Sequence, residues 1–246
     1  MTRTADLWHH YGRTRHTIDR TVPDRFFWNW SQDSGPGAET LGDVTGRLLG
    51  DLGAGTARHA AHLTAHHQPA RVTAVDASPA QHAMASDLYG HLAPRLRLTH
   101  CDVLLHLRAS TNTYDVLYSV FGAVDFSEPR KLLAAAVNAL RPGGRLVFST
   151  LAHHLGGAPA HSDVQYTEIG AKTPDRGPAL IRRWVLQEHV WTRLLDEAGF
   201  TQISTEVLPS GPGPRTAHTL LVTAFRTGSP SDATGNRPAA TQAEEV

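Results

Sequence analysis

From Gly46 onward, short apolar runs alternate with longer segments that are rich in alanine and leucine. The short runs are GRLLGDL, RVTAVD, RLRLTHC, YDVLYSV and GRLVFSTL, and the segments between them include TARHAAHLTAHH, SPAQHAMASDLYGHL and EPRKLLAAAVNAL. The short runs have the length of strands and the longer segments that of helices, so the alternation indicates consecutive βαβ units. Such units form a parallel sheet with helices on both faces, which predicts a doubly wound α/β fold.

The segments around this pattern predict the domain organisation. Residues 5–30 mix aromatic residues and arginines at loosely helical spacing, and we expect residues 1–45 to form an N-terminal helical cap or lid. The main domain is expected over 46–226, with an insertion at 152–186 where glycine, proline and histidine interrupt the alternation. Near its end, the runs TQISTEVL and AHTLLVTAF predict an antiparallel hairpin at the sheet edge. Residues 227–246 contain almost no large apolar side chain, so we expect a disordered tail.

The composition restricts the partners of the chain. Lysine plus arginine and aspartate plus glutamate both number 23, so no excess charge favours nucleic acid or an anionic membrane. We therefore expect a small-molecule partner, and the sequence leaves the oligomeric state, monomer or homodimer, open. Cys101 is the only cysteine, no apolar run is long enough to cross a bilayer, and the N-terminus lacks the apolar core of a signal peptide. These features predict a cytoplasmic protein.

The stretch LLGDLGAGTARHAAHL, residues 48–63, contains a glycine-rich turn between the first predicted strand and the first predicted helix. Such a turn presents unpaired backbone N–H groups at the helix N-terminus, where an anionic group is favoured. Gly53 and Gly55 would allow a ligand to approach the backbone closely. Taken alone, the motif is equally compatible with a tight strand-to-helix turn that binds nothing.

Acidic residues follow the neighbouring strands. Asp76 ends the second strand at nearly the spacing from the loop, about 20 residues, at which a carboxylate meets ribose hydroxyls. Asp102 ends the third strand, and residues 119–122 end the fourth. Each carboxylate could instead cap the helix that follows it. Three carboxylates at three successive strand ends, Asp51 included, favour a nucleoside site at the carboxyl edge of the sheet.

The loop residues indicate which nucleoside fits. A dinucleotide site wants a third glycine, where this chain has Ala57, and places a pyrophosphate on the loop. Asp51 would repel a pyrophosphate but would attract an ammonium or a sulfonium group. S-adenosylmethionine carries both cations, and its carboxylate can use the loop N–H groups. We therefore expect the loop to hold the amino-acid end of S-adenosylmethionine.

The segments LLGDLGAGTARHA, VTAVDASPAQHAMA, THCDV, YDVLYSVFGAVDF and LRPGGRLVFS resemble, in order and spacing, the successive motifs of class I S-adenosylmethionine-dependent methyltransferases. The resemblance covers about Gly46 to Phe225, and the bacterial small-molecule, natural-product enzymes look most similar. It implies a Rossmann-like sheet of seven strands with the last strand antiparallel. It also implies S-adenosylmethionine as cofactor and S-adenosylhomocysteine as product.

The resemblance implies roles for individual residues around the cofactor. The methionine moiety would lie on the glycine loop, the ribose hydroxyls on Asp76, and the adenine amino group on Asp102. The position of Ala57 departs from the family pattern, in which glycine is frequent. The complete set of implied cofactor contacts is Asp51, Gly53, Ala54, Gly55, Asp76, Ala77, Gln81, Cys101, Asp102, Val103, Ser119, Val120 and Phe121, of which the last three would line the methyl-transfer channel.

Methyl transfer from a sulfonium is an in-line displacement, so catalysis consists largely of placing the acceptor. A general base helps when the acceptor is a hydroxyl or a protonated amine, and histidine has the pKa for that role. His153 and His154 follow the fifth strand and are our candidates, although either could be a solvated loop histidine. The candidate substrate-binding residues are Tyr11 and Trp28 on the cap, Asp125 after the fourth strand, and His161 in the insertion at 152–186.

His59, His62 and His66 share one predicted helix face, which is the spacing of a metal site. We expect no metal there, because the helix should turn its Ala/Leu side to the sheet and leave these rings in water.

The sequence thus predicts methyl transfer to an oxygen or nitrogen, less favourably a carbon, of a small molecule, with specialised metabolism as the expected setting. An NAD(P)-dependent oxidoreductase remains an alternative, because it shares the acidic strand end. A methyltransferase-like protein that binds the nucleoside without catalysis is a second alternative, because fold does not fix function.

Overall fold

The computed structural model of the chain describes residues 6–11, 21–210 and 217–228. The described part is organised around a mixed seven-stranded sheet in the order β3-β2-β1-β4-β5-β9-β8, and a separate two-stranded sheet pairs β6 with β7. The strands are β1 (Leu48–Leu52), β2 (Arg71–Asp76), β3 (Leu96–His100), β4 (Tyr114–Val120), β5 (Leu140–Leu151), β6 (Thr167–Lys172), β7 (Pro178–Arg183), β8 (Phe200–Leu208) and β9 (Thr219–Arg226).

The strand directions agree with the predicted Rossmann-like fold. Strands β1 to β5 pair in parallel, and β9 pairs antiparallel with both β5 and β8. The last strand is therefore the antiparallel one, as predicted. The two final strands do form an antiparallel pair at the sheet edge, with β9 inserted between β5 and β8.

Helices connect the parallel strands and cover both faces. They are α1 (Arg58–His66), α2 (Pro79–Tyr89), α3 (Val103–Arg108), α4 (Ala123–Phe126), α5 (Pro129–Ala139) and α6 (Glu188–Glu197). The start of α2 is encoded locally, because Ser78 accepts a hydrogen bond from the backbone of Gln81 and Pro79 occupies the first turn. None of the helices in the described part of the chain is long and apolar enough to cross a membrane.

The core consists of two apolar layers, one on each face of the main sheet. On β4, Leu117 packs into the layer that contains Trp191, whereas Val116 and Tyr118 pack into the layer that contains Trp28. This alternation follows from the two-residue period of a strand. Because both faces are buried, the strands read as nearly continuous apolar runs.

The described parts of the N-terminal region contain no α-helix, and residues 1–5 and 12–20 of the expected helical cap lie outside the described residues. Residues 6–11 form turns, and residues 21–45 contain turns and one short 3-10 helix, Ala38–Leu41, rather than an α-helix. Phe26 and Trp28 are buried in the core instead of lying on a separate cap. Pro23 and the sequence Gly-Pro-Gly at 35–37 interrupt any continuous helix here.

The insertion after β5 contains the β6–β7 hairpin, whose strands pair from Thr167↔Arg183 to Lys172↔Pro178. Of the tail expected to be disordered, only residues 227 and 228 are described, and 229–246 lie outside the described residues.

Candidate active site

The glycine-rich turn after β1 is built so that only glycine fits at its first position. Gly53 has φ +77°, and a Cβ atom there would overlap the backbone nitrogen of Ala123. Gly55 has φ +55° and Ala57 has φ +61°, so the loop enters α1 through left-handed backbone. The turn that follows β4 packs equally closely, because a Cβ atom on Gly122 would overlap the carbonyl oxygen of Leu52. The loops after β1 and β4 thus form one tightly packed edge.

Asp76 lies at this edge and ties the glycine loop to the end of β2. Its Oδ2 accepts a hydrogen bond from the backbone N–H of Gly55 at 2.7 Å, and its Oδ1 accepts one from Ser78 at 2.8 Å. Burial raises the pKa of the Asp76 carboxyl, and the two backbone hydrogen bonds oppose this shift. The carboxylate is therefore held rigidly beside the loop.

Asp51 is a buried acid without a partner for one of its oxygens. Its side chain is 2% exposed, and Oδ2 forms no hydrogen bond with the described residues. Its neighbour across the sheet is Tyr118, whose hydroxyl also lies without a hydrogen bond of ordinary length in the described part. Burial raises the pKa of Asp51 to about 8, with Tyr118 opposing the shift and Asp76 adding to it. A cation bound next to Asp51 would stabilise its ionised form, so the residue fits a ligand that carries positive charge.

Three further predicted cofactor residues contribute backbone groups to this edge. The N–H of Ala54 donates to Val75 at 3.0 Å, and the N–H of Cys101 donates to the carbonyl of Asp76 at 3.0 Å. The carbonyl of Ala77 contacts Nε2 of His100 at 3.1 Å.

Gln81 holds the N-terminal segment rather than presenting a free amide. Its Nε2 donates to the carbonyl oxygens of Trp8 at 3.0 Å and Tyr11 at 2.9 Å. Nearby, the hydroxyl of Ser78 donates to Asp6 at 3.0 Å. Residues 6–11 therefore lie against the start of α2, next to the expected ribose site.

The structure places two other predicted cofactor residues in structural roles. Asp102 is exposed and caps α3 by accepting a hydrogen bond from Leu105 at 3.0 Å, while Val103 behind it is buried. Ser119 was expected to line the methyl-transfer channel, but its side chain is fully buried and its hydroxyl donates to the carbonyl of Leu52 at 2.8 Å. Because that hydroxyl fastens β4 to β1, it does not face open space.

Val120 and Phe121, at the end of β4, are partly buried and begin the other side of the site. Phe121 has φ +48°, and its ring lies edge to face with Trp30 at 5.0 Å between centroids. Trp8 lies in the same way against Phe126 at 4.6 Å. These four aromatic rings come from the N-terminal region and from the segment after β4.

The expected aromatic wall of Tyr11 and Trp28 is not the one observed. Trp28 is fully buried in the core and its indole N–H donates to Gly37 at 2.8 Å, and Tyr11 is 63% exposed. Trp30, two residues further on, packs against Phe121 instead. In an extended chain, the side chains of residues two apart point to the same face. The chain bends around residues 29–34, so the side chains of Trp28 and Trp30 point in different directions. In the sequence, Trp28 and Trp30 both belong to the triplet WNW, and no local pattern shows which of the two indoles is buried in the core.

The two candidate bases differ in how their rings are held. Nδ1 of His153 donates to the carbonyl of His154 at 3.0 Å, and Nε2 accepts the N–H of His218 at 3.1 Å. Both ring nitrogens of His153 are therefore engaged, which leaves it no lone pair for a proton. The ring of His154 forms no hydrogen bond with the described residues and lies 5.2 Å from that of His161. Burial lowers the pKa of His154, and the charges of His161 and Arg183 add to this, so the imidazole is held neutral.

The remaining predicted substrate residues are both paired. His161 contacts the hydroxyl of Thr167 through Nε2 at 2.9 Å. Asp125 is fully buried and pairs with Arg183, a residue of β7 that sequence reasoning missed. Asp125 lies within α4, and its side chain bonds Arg183 rather than capping a helix.

We expected the histidines of α1 to lie in water, but they do not all do so. His62 is buried, with Nδ1 2.9 Å from the carbonyl of Pro23 and Nε2 3.2 Å from Nε2 of His67. The N-terminal region covers this helix, and the ring of His59 packs against Phe26 at 4.6 Å between centroids. Within the described residues, no group of histidine, cysteine or acidic side chains is arranged to hold a metal ion.

Comparisons with known proteins agree with this fold. Residues 50–144 match the protein-family model described as a methyltransferase domain. A protein of Listeria monocytogenes assigned to the S-adenosylmethionine-dependent methyltransferases superposes with a TM-score of 0.58 and 18% identity, covering 77% of this chain and 95% of that chain. An S-adenosylmethionine-dependent methyltransferase from Mesorhizobium loti gives 0.53 and 21%, covering 76% and 94%.

A third structure carries ligands. It is the Burkholderia thailandensis 1,6-didemethyltoxoflavin-N1-methyltransferase with bound 1,6-didemethyltoxoflavin and S-adenosylhomocysteine, with a TM-score of 0.50 and 22% identity, covering 74% of this chain and 72% of that chain. A comparison with curated proteins found no match. Residues 50–144 therefore resemble a methyltransferase domain, and the chain has the fold of S-adenosylmethionine-dependent methyltransferases. S-adenosylmethionine is the cofactor that this domain and fold imply.

Proposed function

We propose that the chain transfers a methyl group from S-adenosylmethionine to an oxygen or nitrogen of a small aromatic molecule in bacterial specialised metabolism. One observation carries the proposal most directly: the buried carboxyl of Asp51 lies beside the glycine loop, and its Oδ2 has no hydrogen bond of ordinary length with the described residues. A buried polar atom without a partner is unfavourable, and a cationic ligand would satisfy it.

The residues of the edge suit the parts of this cofactor. S-adenosylmethionine, when bound, supplies an electrophilic methyl group on a positively charged sulfur. The glycine loop would lie along its amino-acid end, Asp51 would face its ammonium group, and Asp76 would bind its ribose hydroxyls. The oxidoreductase alternative fits less well, because Asp51 would lie beside a pyrophosphate and Ala57 replaces the third glycine of a dinucleotide loop.

The aromatic walls support a planar acceptor. Trp30 and Phe121 on one side and Trp8 and Phe126 on the other are ring pairs at contact distance. The Burkholderia methyltransferase, which contains a bound 1,6-didemethyltoxoflavin, is an example of this fold with a small molecule in its site. We infer that the rings orient the acceptor and that His154, whose ring is neutral and unpaired in the described part of the chain, accepts its proton.

Calorimetric titration tests the cofactor assignment. We expect binding of both S-adenosylmethionine and S-adenosylhomocysteine, and no heat with reduced nicotinamide dinucleotides. A flat trace with both sulfur compounds would refute the proposal. Binding without any release of S-adenosylhomocysteine, across a panel of phenols and aromatic amines, would favour the non-catalytic alternative.

His154→Gln, with His153→Gln as the matched control, tests the base. We expect the His154 variant to bind S-adenosylhomocysteine normally and to lose about a hundredfold in turnover with a phenolic acceptor. The His153 variant should mainly lose stability, because both of its ring hydrogen bonds are structural. If both variants lost turnover equally and kept the stability of the wild-type protein, His154 would not be the general base.

A further inference from the structure

Arg183 and Asp125 form a buried ion pair on the acceptor side. Both Nε, at 3.1 Å, and Nη2, at 2.5 Å, donate to the same carboxylate oxygen, Oδ2. The side chains are 7% and 0% exposed, respectively. Asp125 lies in α4, directly after the β4 loop, and Arg183 ends β7 in the insertion, so the pair joins the hairpin to the main domain.

Stability does not explain why these charges are buried. Removing two ions from water costs several kcal/mol each, and replacing such a pair with apolar residues is often neutral or stabilising, by about 1–4 kcal/mol. The pair is also incompletely satisfied, because Oδ1 of Asp125 has no hydrogen bond of ordinary length with the described residues, Thr150 included. Burial raises the pKa of Asp125 even though Arg183 and Thr150 oppose the shift. Stability alone therefore does not account for the burial of the guanidinium.

The surroundings of the guanidinium match an acceptor pocket. Its Cζ lies 5.4 Å from the ring of Trp30 and 5.3 Å from the ring of Phe126. Trp30 in turn contacts Phe121, at the end of β4, and Phe126 contacts Trp8. The charged group is therefore enclosed by the same aromatic rings that would orient a planar acceptor.

One edge of the guanidinium is available for a ligand. Nε and Nη2 are used by Asp125, whereas Nη1 forms no hydrogen bond with the described residues. The edge formed by Nη1 and the second hydrogen of Nη2 is the geometry that binds a carboxylate with two parallel hydrogen bonds. Arginine also remains charged throughout the accessible pH range, and its planar group packs well between aromatic faces.

We propose that Arg183 binds an anionic oxygen group of the methyl acceptor, so that the acceptor is a small aromatic carboxylate. Asp125 is then a positioning residue that turns the free edge of Arg183 toward the aromatic walls. This inference rests on the proposed methyltransferase function. It adds the chemical class of the acceptor and a residue that selects it.

Matched acids and amides test the proposal by isothermal titration in the presence of saturating S-adenosylhomocysteine. Anthranilate is compared with anthranilamide, and salicylate with salicylamide, because the members of each pair have nearly the same shape and differ in the charge and in one oxygen of the acidic group. In the wild-type protein we expect at least one acid to bind at least about tenfold more tightly than its amide. Arg183→Gln should abolish this preference and Arg183→Lys should retain part of it, with S-adenosylhomocysteine affinity unchanged in both.

Two further variants keep the test decisive. Arg182→Gln is the matched control, because Arg182 lies next to Arg183 but packs over Tyr166 on the hairpin, 4.5 Å from Cζ to the ring centre. It should keep the preference for acids. The double variant Asp125→Leu/Arg183→Met replaces the pair with apolar groups and serves if the single variants unfold.

The proposal is overturned if neither acid binds the wild-type protein better than its amide. It is also overturned if the preference survives in Arg183→Gln, or in the double variant when that variant is needed. These results differ from failure of the proposed function, which would appear as loss of S-adenosylhomocysteine binding in the wild-type protein itself.

Discussion

The two sides of the site are constructed in different ways. The proposed cofactor side consists of backbone groups and of Asp51 and Asp76, which lie in or at the ends of neighbouring strands. The proposed acceptor side consists of side chains from the N-terminal region, from the segment after β4 and from the β6–β7 hairpin. On the first side the geometry follows from short local motifs, whereas on the second side it depends on how distant segments pack.

This contrast predicts where the molecule is sensitive to substitution. On the cofactor side, small changes in backbone shape should be costly and should affect cofactor binding. On the acceptor side, unpaired charge should be costly, and apolar replacements should be tolerated. Four experiments test the contrast, beginning with the largest expected effect.

Asp125→Ala should reduce the free energy of unfolding by about 3–5 kcal/mol, because it leaves the Arg183 guanidinium buried without its counter-ion. Urea denaturation measures the loss. The double variant Asp125→Leu/Arg183→Met should recover most of it. A loss below about 1 kcal/mol for the single variant would show that Arg183 reaches water, and the contrast would be wrong on the acceptor side.

Gly53→Ala should cost at least about 2 kcal/mol of stability, because it combines a positive φ with overlap on the backbone of Ala123. Gly143→Ala is the matched control. Gly143 has φ +75° but no heavy atom near its Cβ position, so only the backbone strain of about 1 kcal/mol is expected. Thermal unfolding of both proteins compares them, and equal losses would mean that the loop can shift away from α4.

Asp76→Ala should weaken S-adenosylhomocysteine binding by about 1–3 kcal/mol, because buried ribose hydroxyls lose their partner. Asp43→Ala removes an exposed carboxyl that only caps a turn with Thr45, and it should leave the affinity unchanged. Titration calorimetry gives both values. If the affinity of the Asp76 variant matches the wild type, the ribose lies elsewhere.

The affinity for S-adenosylhomocysteine should rise with pH up to about 8. The pKa of Asp51 is raised to about 8, so the carboxyl is protonated below that pH and must lose its proton to pair with the ligand's ammonium group. At pH 7 this costs about 1.4 kcal/mol relative to the plateau. Asp51→Asn should bind more weakly and show a flat profile between about pH 6 and 8. A wild-type affinity that is constant over this interval would contradict the assigned role of Asp51.

Local pattern was enough to predict much of the cofactor side. The run YDVLYSV corresponds to β4, Tyr114–Val120, and the glycine loop lies between β1 and α1 as expected. Asp51 and Asp76 also lie at the predicted edge. Backbone conformation and the two-residue period of strands operate over a few residues, so the sequence carries this information directly.

Local sequence pattern did not predict the orientation of side chains that could either face the site or pack in the core. Ser119 and Trp28 were expected to face the site and are instead buried, because the packing of β4 against β1 and of the N-terminal region against the sheet decides their orientation. His153 and His154 are adjacent and equivalent in sequence. Tertiary contacts distinguish them, above all the contact of His153 with His218, a residue 65 positions away.

By itself, the sequence determined the α/β architecture, the sheet edge at which Asp51 and Asp76 lie, and the residues that shape the glycine loop. The tertiary structure decided the place of β9 between β5 and β8, the burial of Trp28 in the core, and the pairing of Arg183 with Asp125 across 58 positions. The physical reason is that turns and strands are set by neighbouring residues. A pocket made of side chains depends on how whole segments pack against one another. No short motif determines which faces of these segments come into contact.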